Sequence, residues 1–455
     1  MKISKAAVHW KARALPQMRF EDQQLTSFAG LIVFQPLFAR LDLKHRLQDC
    51  FRHLKVSPIF GHANIVMLLI VHLLLGYRRL QEVRYYADDP IVQRVLGLKR
   101  LPDVATLSRT LAGMDKTAVK QLRTLSRTLV LQRLQHLAPA RLTLDFDGSV
   151  LGTCRMAEGT AVGYNRKKKG QRSYYPLFCT VAQTGQVLDV WHRPGNVHDS
   201  NGARGFILNC LNEVRQILPA VILEVRMDSA FFSDEIVSTL DALRVCYTIS
   251  VPFERLAQLK RAVEQRSRWQ RFDETLSFFE MRWKPKSWAT PHRFVVIRTR
   301  EPEQRKGPLQ LGLFDPYVYG HQFKVILTNI KLSAKKLLAL HNGRGAQEGI
   351  FAELKSQAQM DYVPCKRRAG NQTWLLAAIL AHNLNRELHI SAHQPERATT
   401  EQRSPWWQFV RLATRRMRLI HRAGRLTQPK GQLTLTLSAN PSVQAELLHY
   451  LRLAA

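Results

Sequence analysis

RLTLDFDGSV, residues 141–150, is where the character of the chain changes. Leu142, Leu144 and Phe146 alternate with Thr143, Asp145 and Asp147, the period-two pattern of a strand with one face buried. Upstream the pattern is helical. FAGLIVFQPLFARL, NIVMLLIVHLLLGYRRLQEVRYY and AVKQLRTLSRTLVLQRLQHL each repeat apolar residues at helical spacing. Between the last two, LPDVATLSRTLAGM offers Asp103 as a cap for a short helix exposing Ser108 and Arg109. That helix fits either a DNA-binding helix-turn-helix element or an ordinary all-α domain.

Downstream, YPLFCTVAQTGQVLDVWHRPG predicts two strands joined by a turn at Thr184-Gly185. A helix over 202–217, the strand VILEVRMDS, a helix over 234–243 and the strand VCYTISV follow. This order predicts an α/β sheet covered by helices. From Pro252 to Asn329 the alternation breaks. FFEMRWKPKSW, HRFVVIRTR and QFKVILTNI predict a β-rich insertion, and helices resume at Ser333. A polar stretch at 393–405 predicts a linker, and beyond it FVRLATRRMRLIHRAGR predicts a basic helix or arm that binds DNA, or else a membrane-surface helix.

Charge narrows the function. Lys and Arg number 68 against 35 Asp and Glu, a formal net charge of +33 in 455 residues. Such an excess repels itself unless a polyanion takes it up, which points to nucleic acid ahead of an anionic membrane surface. Six cysteines without a CxxC pair suggest neither a zinc site nor a disulfide framework, so a reducing cytosol is expected. The most apolar run, IVMLLIVHLLLG (65–76), is too short to span a bilayer, and a buried helix is expected there.

The chemistry centres on HNGRGAQEGIFAELKSQ, residues 341–357. Its glycines read G-x-G-x-x-x-G after a helical stretch. That is neither the dinucleotide fingerprint, which follows a strand, nor a Walker loop. On a helix, Arg344, Glu348 and Lys355 fall within about 40° of one another, with Ile350 and Leu354 left for packing. An intrahelical Arg344–Glu348 ion pair is the plain explanation of that spacing. The sharper one is a metal-binding carboxylate between two phosphate-gripping cations, which needs further carboxylates. Asp145 and Asp147 share a face of their strand, and Asp228 ends another. Together with a helix glutamate they form the oxygen-rich set that binds hard divalent ions.

On these residues the chain resembles a known family. His341-x2-Arg344-x3-Glu348-x6-Lys355 is similar to the Y-x2-R-x3-E-x6-K signature of the IS-four-like insertion-sequence DDE transposases, with His in place of the leading Tyr. DFDGS, G-Y-N…S-Y-Y-P-L, H-R-P-G-N and RMDSAFF resemble the related family named thirteen-eighty. The resemblance implies a helical DNA-binding domain (1–137) and an RNase H-like catalytic domain (138–251 and 330–392) interrupted by the β-rich insertion (252–329). A basic, helical C-terminal region (393–455) completes the layout. It assigns Asp147, Asp228 and Glu348 to two Mg²⁺ or Mn²⁺ ions, with Asp145 the second choice to Asp147, and gives His341, Arg344 and Lys355 to phosphate.

The implied activity is metal-dependent cleavage at transposon ends and strand transfer into target DNA. A homodimer on double-stranded DNA is implied, with no membrane and no small-molecule cofactor, in a bacterial cytoplasm. A catalytically silent DNA-binding descendant and a host nuclease of the same fold are the alternatives. The run Arg166, Lys167, Lys168 and Lys169 among aromatics suits a DNA backbone. Trp269, Trp283 and Trp288 suit core packing better than stacking on a base.

Overall fold

The computed structural model describes residues 15–55, 59–163, 165, 168–300, 317–318, 321–399 and 403–454. Six helices come first: α1 (Phe34–Arg40), α2 (Leu43–Phe51), α3 (His62–Leu75), α4 (Pro90–Leu96), α5 (Val104–Ala112) and α6 (Lys116–Leu137). Their starts are written locally. Asp89, Asp103 and Asp115 each accept a backbone N–H from the first turn of α4, α5 and α6, satisfying donors that a helix start leaves open. Gly76 ends α3 at φ 98°, a left-handed turn that favours glycine. The apolar run is the buried helix α3, and no described helix is long and apolar enough to cross a membrane.

The large sheet contains β1 (Arg141–Gly148), β2 (Leu177–Val181), β3 (Val187–Trp191), β4 (Ile222–Met227) and β5 (Cys246–Ser250), followed by β6 (Gln270–Arg271), β7 (Leu276–Trp283), β8 (His292–Arg300), β9 (Tyr317–Val318) and β10 (His321–Thr328). Its order is β6-β7-β8-β10-β5-β4-β1-β2-β3, with β9 beside β10. β1, β4 and β5 run parallel, and β2 and β3 form an antiparallel hairpin beside β1. Between β3 and β4 lies α7 (Ala203–Ile217), and between β4 and β5 lies α8 (Asp234–Ala242). Leu142, Leu144 and Phe146 pack with Phe206 and Ile207 of α7 in one apolar cluster, so the aspartates of β1 take the other face.

The stretch after β5 extends this sheet through antiparallel pairing of β10 with β5. It is not all β: α9 (Ala257–Glu264) stands before β6. Its tryptophans pack internally, with Trp288 stacked on Phe232 and Trp283 edge-on to Phe294. Then come α10 (Ala334–Asn342), α11 (Gly345–Ser356) and α12 (Arg368–Ala392). α12 is buried almost all round and shares one apolar core with α3, α5 and α6. The helical N-terminal region is therefore packed onto the chain's later half.

The basic segment near the C-terminus is helical only in part and forms a strap: α13 (Leu412–Arg415) runs into a wider turn at Arg416–Ile420, before α14 (Pro441–Ala454), with Arg411, Arg418 and Arg425 left exposed. Trp406, Trp407, Arg415 and Arg416 are buried. Arg416 donates to the carbonyls of Leu73 and Leu74 at 2.6 and 2.7 Å and to that of Gln357. The end of α3 is short of donors, with the Leu73 carbonyl met only by the Gly76 N–H at 3.2 Å, so a buried guanidinium completes it and favours the helix dipole. Burial holds the Arg416 pKa down at about 10. Replacing Arg416 with Met removes the donor to the Leu74 and Gln357 carbonyls and should cost about 2–3 kcal/mol in urea denaturation; an unchanged midpoint would contradict the strap's role.

Candidate active site

The sheet register builds the centre of the site. β1 pairs with β4 in parallel, with Phe146 opposite Met227. The next residues, Asp147 and Asp228, therefore stand side by side where the two strands end. Asp147 Oδ1 accepts the Gly148 N–H at 2.8 Å, and Oδ2 takes Arg344 at 3.0 Å. Asp228 caps the short turn Ser229–Phe231, accepting the Ala230 N–H at 2.9 Å.

Both carboxyls are driven toward their neutral forms. Burial, then the Asp228 charge, push the Asp147 pKa up to about 7, with Arg344 opposing. Burial raises Asp228 as well, and Asp199 adds to it. Two carboxylates forced together in a part-buried place are short of positive charge. Arg344 supplies some of it, and a divalent cation would supply the rest. In that respect Asp147 and Asp228 fit a metal ion.

Asp145 has a different partner. It is 2% exposed and forms a two-pronged ion pair with Arg226 at 2.6 and 2.7 Å. Arg226 also donates to the carbonyl of Leu340, at the end of α10. The two aspartates of DFD thus share a face and divide the work: Asp145 is tied into the sheet, while Asp147 stands at its end.

α10 and α11 are separated by Gly343 and Arg344, so His341 and Glu348 lie on different helices. α11 is clamped by Gln347, which donates to the Asp145 carbonyl at 3.0 Å, and by Phe351 against Phe178. Leu354 is fully buried beside them and Ile350 only half so; the packed arc borders the Arg344–Glu348–Lys355 edge rather than opposing it. Arg344 reaches Asp147 rather than forming the intrahelical pair with Glu348. Glu348 itself is exposed. Among the described residues, no three His, Cys, Asp or Glu side chains converge as a metal site.

His341 corrects an expectation. It is buried, and its ring nitrogens meet Thr248 Oγ1 at 3.1 Å and Ser250 Oγ at 2.8 Å. Burial, with Lys324, Arg344 and Arg226 around it, lowers its pKa to about 3. It is therefore a neutral residue pinning α10 to β5, with both nitrogens engaged away from any phosphate.

A cleft of about 1920 Å³ opens beside the paired aspartates, with Asp199, Asp228 and Lys355 in its lining. Its cations come from distant parts of the chain: Arg79 beyond α3, Arg155 and Lys168 from the excursion after β1, Arg255 after β5 and Lys324 on β10. Ser108 of α5 also lines it. Lys169 is exposed in the same turn as Lys168, while Arg166 and Lys167 lie outside the described residues. Sequence reasoning missed Asp199, Lys324 and Arg255, whose relevance is spatial. The nearest signal for Asp199 was H-R-P-G-N, which ends three residues before it.

The sequence of the Transposase DDE domain group 1 family matches residues 11–455. The chain belongs to the DDE transposase family. A comparison with curated proteins finds no match. Among solved structures, the piggyBac transposase synaptic complex with hairpin DNA is similar at 11% identity and a TM-score of 0.40, over 83% of this chain and 78% of that one. The Mos1 transposase paired-end complex with left transposon end is similar at 11% identity and 0.18, over 43% and 60%. The family assignment rests on the sequence match.

Burial raises the pKa of both Asp145 and Asp147, but only Asp145 has a buried two-pronged partner, so the two should respond oppositely to neutralisation in this DDE transposase. The folded Asp147 pKa of about 7 lies above the usual 3.8. Its stabilising proton is thus fully present below about 4 and lost as pH rises through 7. Asp147→Asn should raise the melting temperature of the metal-free protein at pH 8, with the gain fading as pH falls toward 4. Asp145→Asn breaks a buried pair and should cost about 3–5 kcal/mol. Differential scanning calorimetry checks both; a loss of stability in both variants at pH 8 would contradict the assignment.

Proposed function

We propose that this DDE transposase, of the IS-four-like group, cuts phosphodiester bonds at the ends of its own element and joins the freed ends to target DNA. The observation that carries this reading is the pairing of Asp147 and Asp228 at adjacent strand ends, beside a cleft lined by cations from several parts of the chain. The strand order β3-β2-β1-β4-β5, with β2 antiparallel, supports an RNase H-like catalytic core. Double-stranded DNA, as terminal inverted repeats and as target, is the proposed substrate, and a homodimer the proposed assembly.

Asp147, Asp228 and Glu348 are the residues proposed to hold Mg²⁺ or Mn²⁺. Bound there, divalent ions supply the charge that activates an attacking oxygen and stabilises the leaving one. The chain's own groups do the rest. Arg344 and Lys355 grip the phosphate, one as a planar fork and the other as a point charge. Arg79, Arg155, Lys168, Arg255 and Lys324 hold the backbone on either side. Water attacks first and leaves a 3′-OH; that hydroxyl then attacks a target phosphodiester, one P–O bond forming as another breaks in each step.

The exposure of Glu348 favours one other reading, a DNA-binding descendant that no longer cuts. Cleavage of the element's terminal repeats with Mg²⁺ separates the two, and an assay for joined products separates both from a host nuclease. Asp147→Ala, Asp228→Ala and Glu348→Ala should each abolish cutting while DNA affinity stays within about threefold, since none contributes a phosphate-binding cation. Normal cutting by the three variants would sink the proposal. Lys324→Ala should weaken DNA binding for every sequence and lower the slope of log affinity against log salt by about 1.

A further inference from the structure

We propose that Asp199 is a positioning residue: clamped by Arg193 and Tyr175, it fixes Gly148 and, through it, the carboxylate of Asp147. This rests on the reading that Asp147 and Asp228 hold a metal ion, and extends it to a residue outside the assigned triad.

The clamp starts at Arg193, just beyond β3 and 1% exposed. Its Nη2 donates to Asp199 Oδ1 at 2.8 Å, Nε to the Tyr175 carbonyl at 3.2 Å, and Nη1 to the His198 carbonyl at 3.1 Å. The rings of Trp191 and Tyr175 flank the guanidinium, with centroids 5.3 and 5.6 Å away. Such a fork is pre-organised and buried, so it holds the loop after β3 in one place. Tyr175 closes the clamp by donating its hydroxyl to Asp199 Oδ2 at 2.7 Å.

Gly148 is what the clamp presses on. A Cβ at that position would lie 2.5 Å from Asp199 Oδ1 and 2.7 Å from the Tyr175 hydroxyl. Neither group can swing away, because each is tied to the other and Asp199 is also tied to Arg193. The Gly148 N–H in turn donates to Asp147 Oδ1. A shift of Asp199 therefore reaches Asp147 through one backbone unit. Both Asp199 oxygens already accept hydrogen bonds within the clamp, which suits orienting a ligand better than being one.

The test is Mn²⁺ binding to the full chain without DNA, read by electron paramagnetic resonance, with circular dichroism to confirm folding. Asp199→Ala should weaken Mn²⁺ binding by about 10–100-fold, the usual effect of losing an orienting partner. Asp199→Asn should stay within about threefold of the wild type, since its carbonyl can accept from Arg193 and its amide can donate to Tyr175. Tyr175→Phe removes one bond of the clamp and should weaken binding by roughly 3–10-fold; it decides the matter if Asp199→Ala fails to fold. A merely structural role would lower the melting temperature and leave Mn²⁺ affinity unmoved.

Wild-type affinity in folded Asp199→Ala, or in Tyr175→Phe, overturns the inference. So does a fall of Asp199→Asn to the level of Asp228→Asn, which would make Asp199 a ligand. If the wild type binds no Mn²⁺, or Asp228→Asn binds as the wild type does, the metal reading itself fails and this inference falls with it.

Discussion

The buried pair Asp145–Arg226 is the interaction on which the site's geometry depends. Asp145 and Arg226 are opposite one another in the register of β1 and β4, both 2% exposed, and joined by two bonds. The pair ties together the two strands that end in Asp147 and Asp228. Arg226 also holds the Leu340 carbonyl, and a Cβ on Gly343 would approach its Nη1 to 2.3 Å. The turn that launches Arg344 and α11 therefore sits directly on the pair. Burying two charges is costly, and such a pair rarely adds net stability over an apolar substitute. Its value here is positional: one side-chain fork sets three chain segments that lie far apart in sequence.

Above that anchor, charge organises the surface. A net charge of +33 is spread over a chain whose cleft beside Asp147 and Asp228 is lined by carboxylates and cations together. Phosphates would be drawn in by the cations and repelled by uncompensated carboxylates. The raised pKa values of Asp147 and Asp228 express the same shortage of positive charge from the protein's side. Arg344, just before α11, answers part of that shortage by its pair with Asp147.

The second half of the chain was legible because period-two and helical patterns there are clean, and because Asp147 and Asp228 fall beside the ends of two strands. The C-terminal arginines were legible only in part. Their density suggested one exposed segment, and Arg411, Arg418 and Arg425 are exposed, yet Arg415 and Arg416 are buried on amide and carbonyl oxygens that only the tertiary fold brings near. His341 misled for the same reason: its neighbours Thr248 and Ser250 lie about ninety positions earlier. Asp147 was preferred to Asp145 only through the family resemblance, since the two share a strand face and differ in what opposes them. Arg226, itself an unremarked letter of VILEVRMDS, pairs with Asp145 and leaves Asp147 to Arg344.

Glu348 is proposed to join Asp147 and Asp228 around divalent ions when DNA is bound. A crystal of the DNA complex grown with Mn²⁺ tests this through anomalous scattering. A peak is expected between Asp147 and Asp228, with a Glu348 oxygen within about 2.0–2.6 Å of a bound ion, the range for oxygen ligands of hard divalent cations. Ions elsewhere, or Glu348 still turned to solvent beside an occupied site, would contradict it.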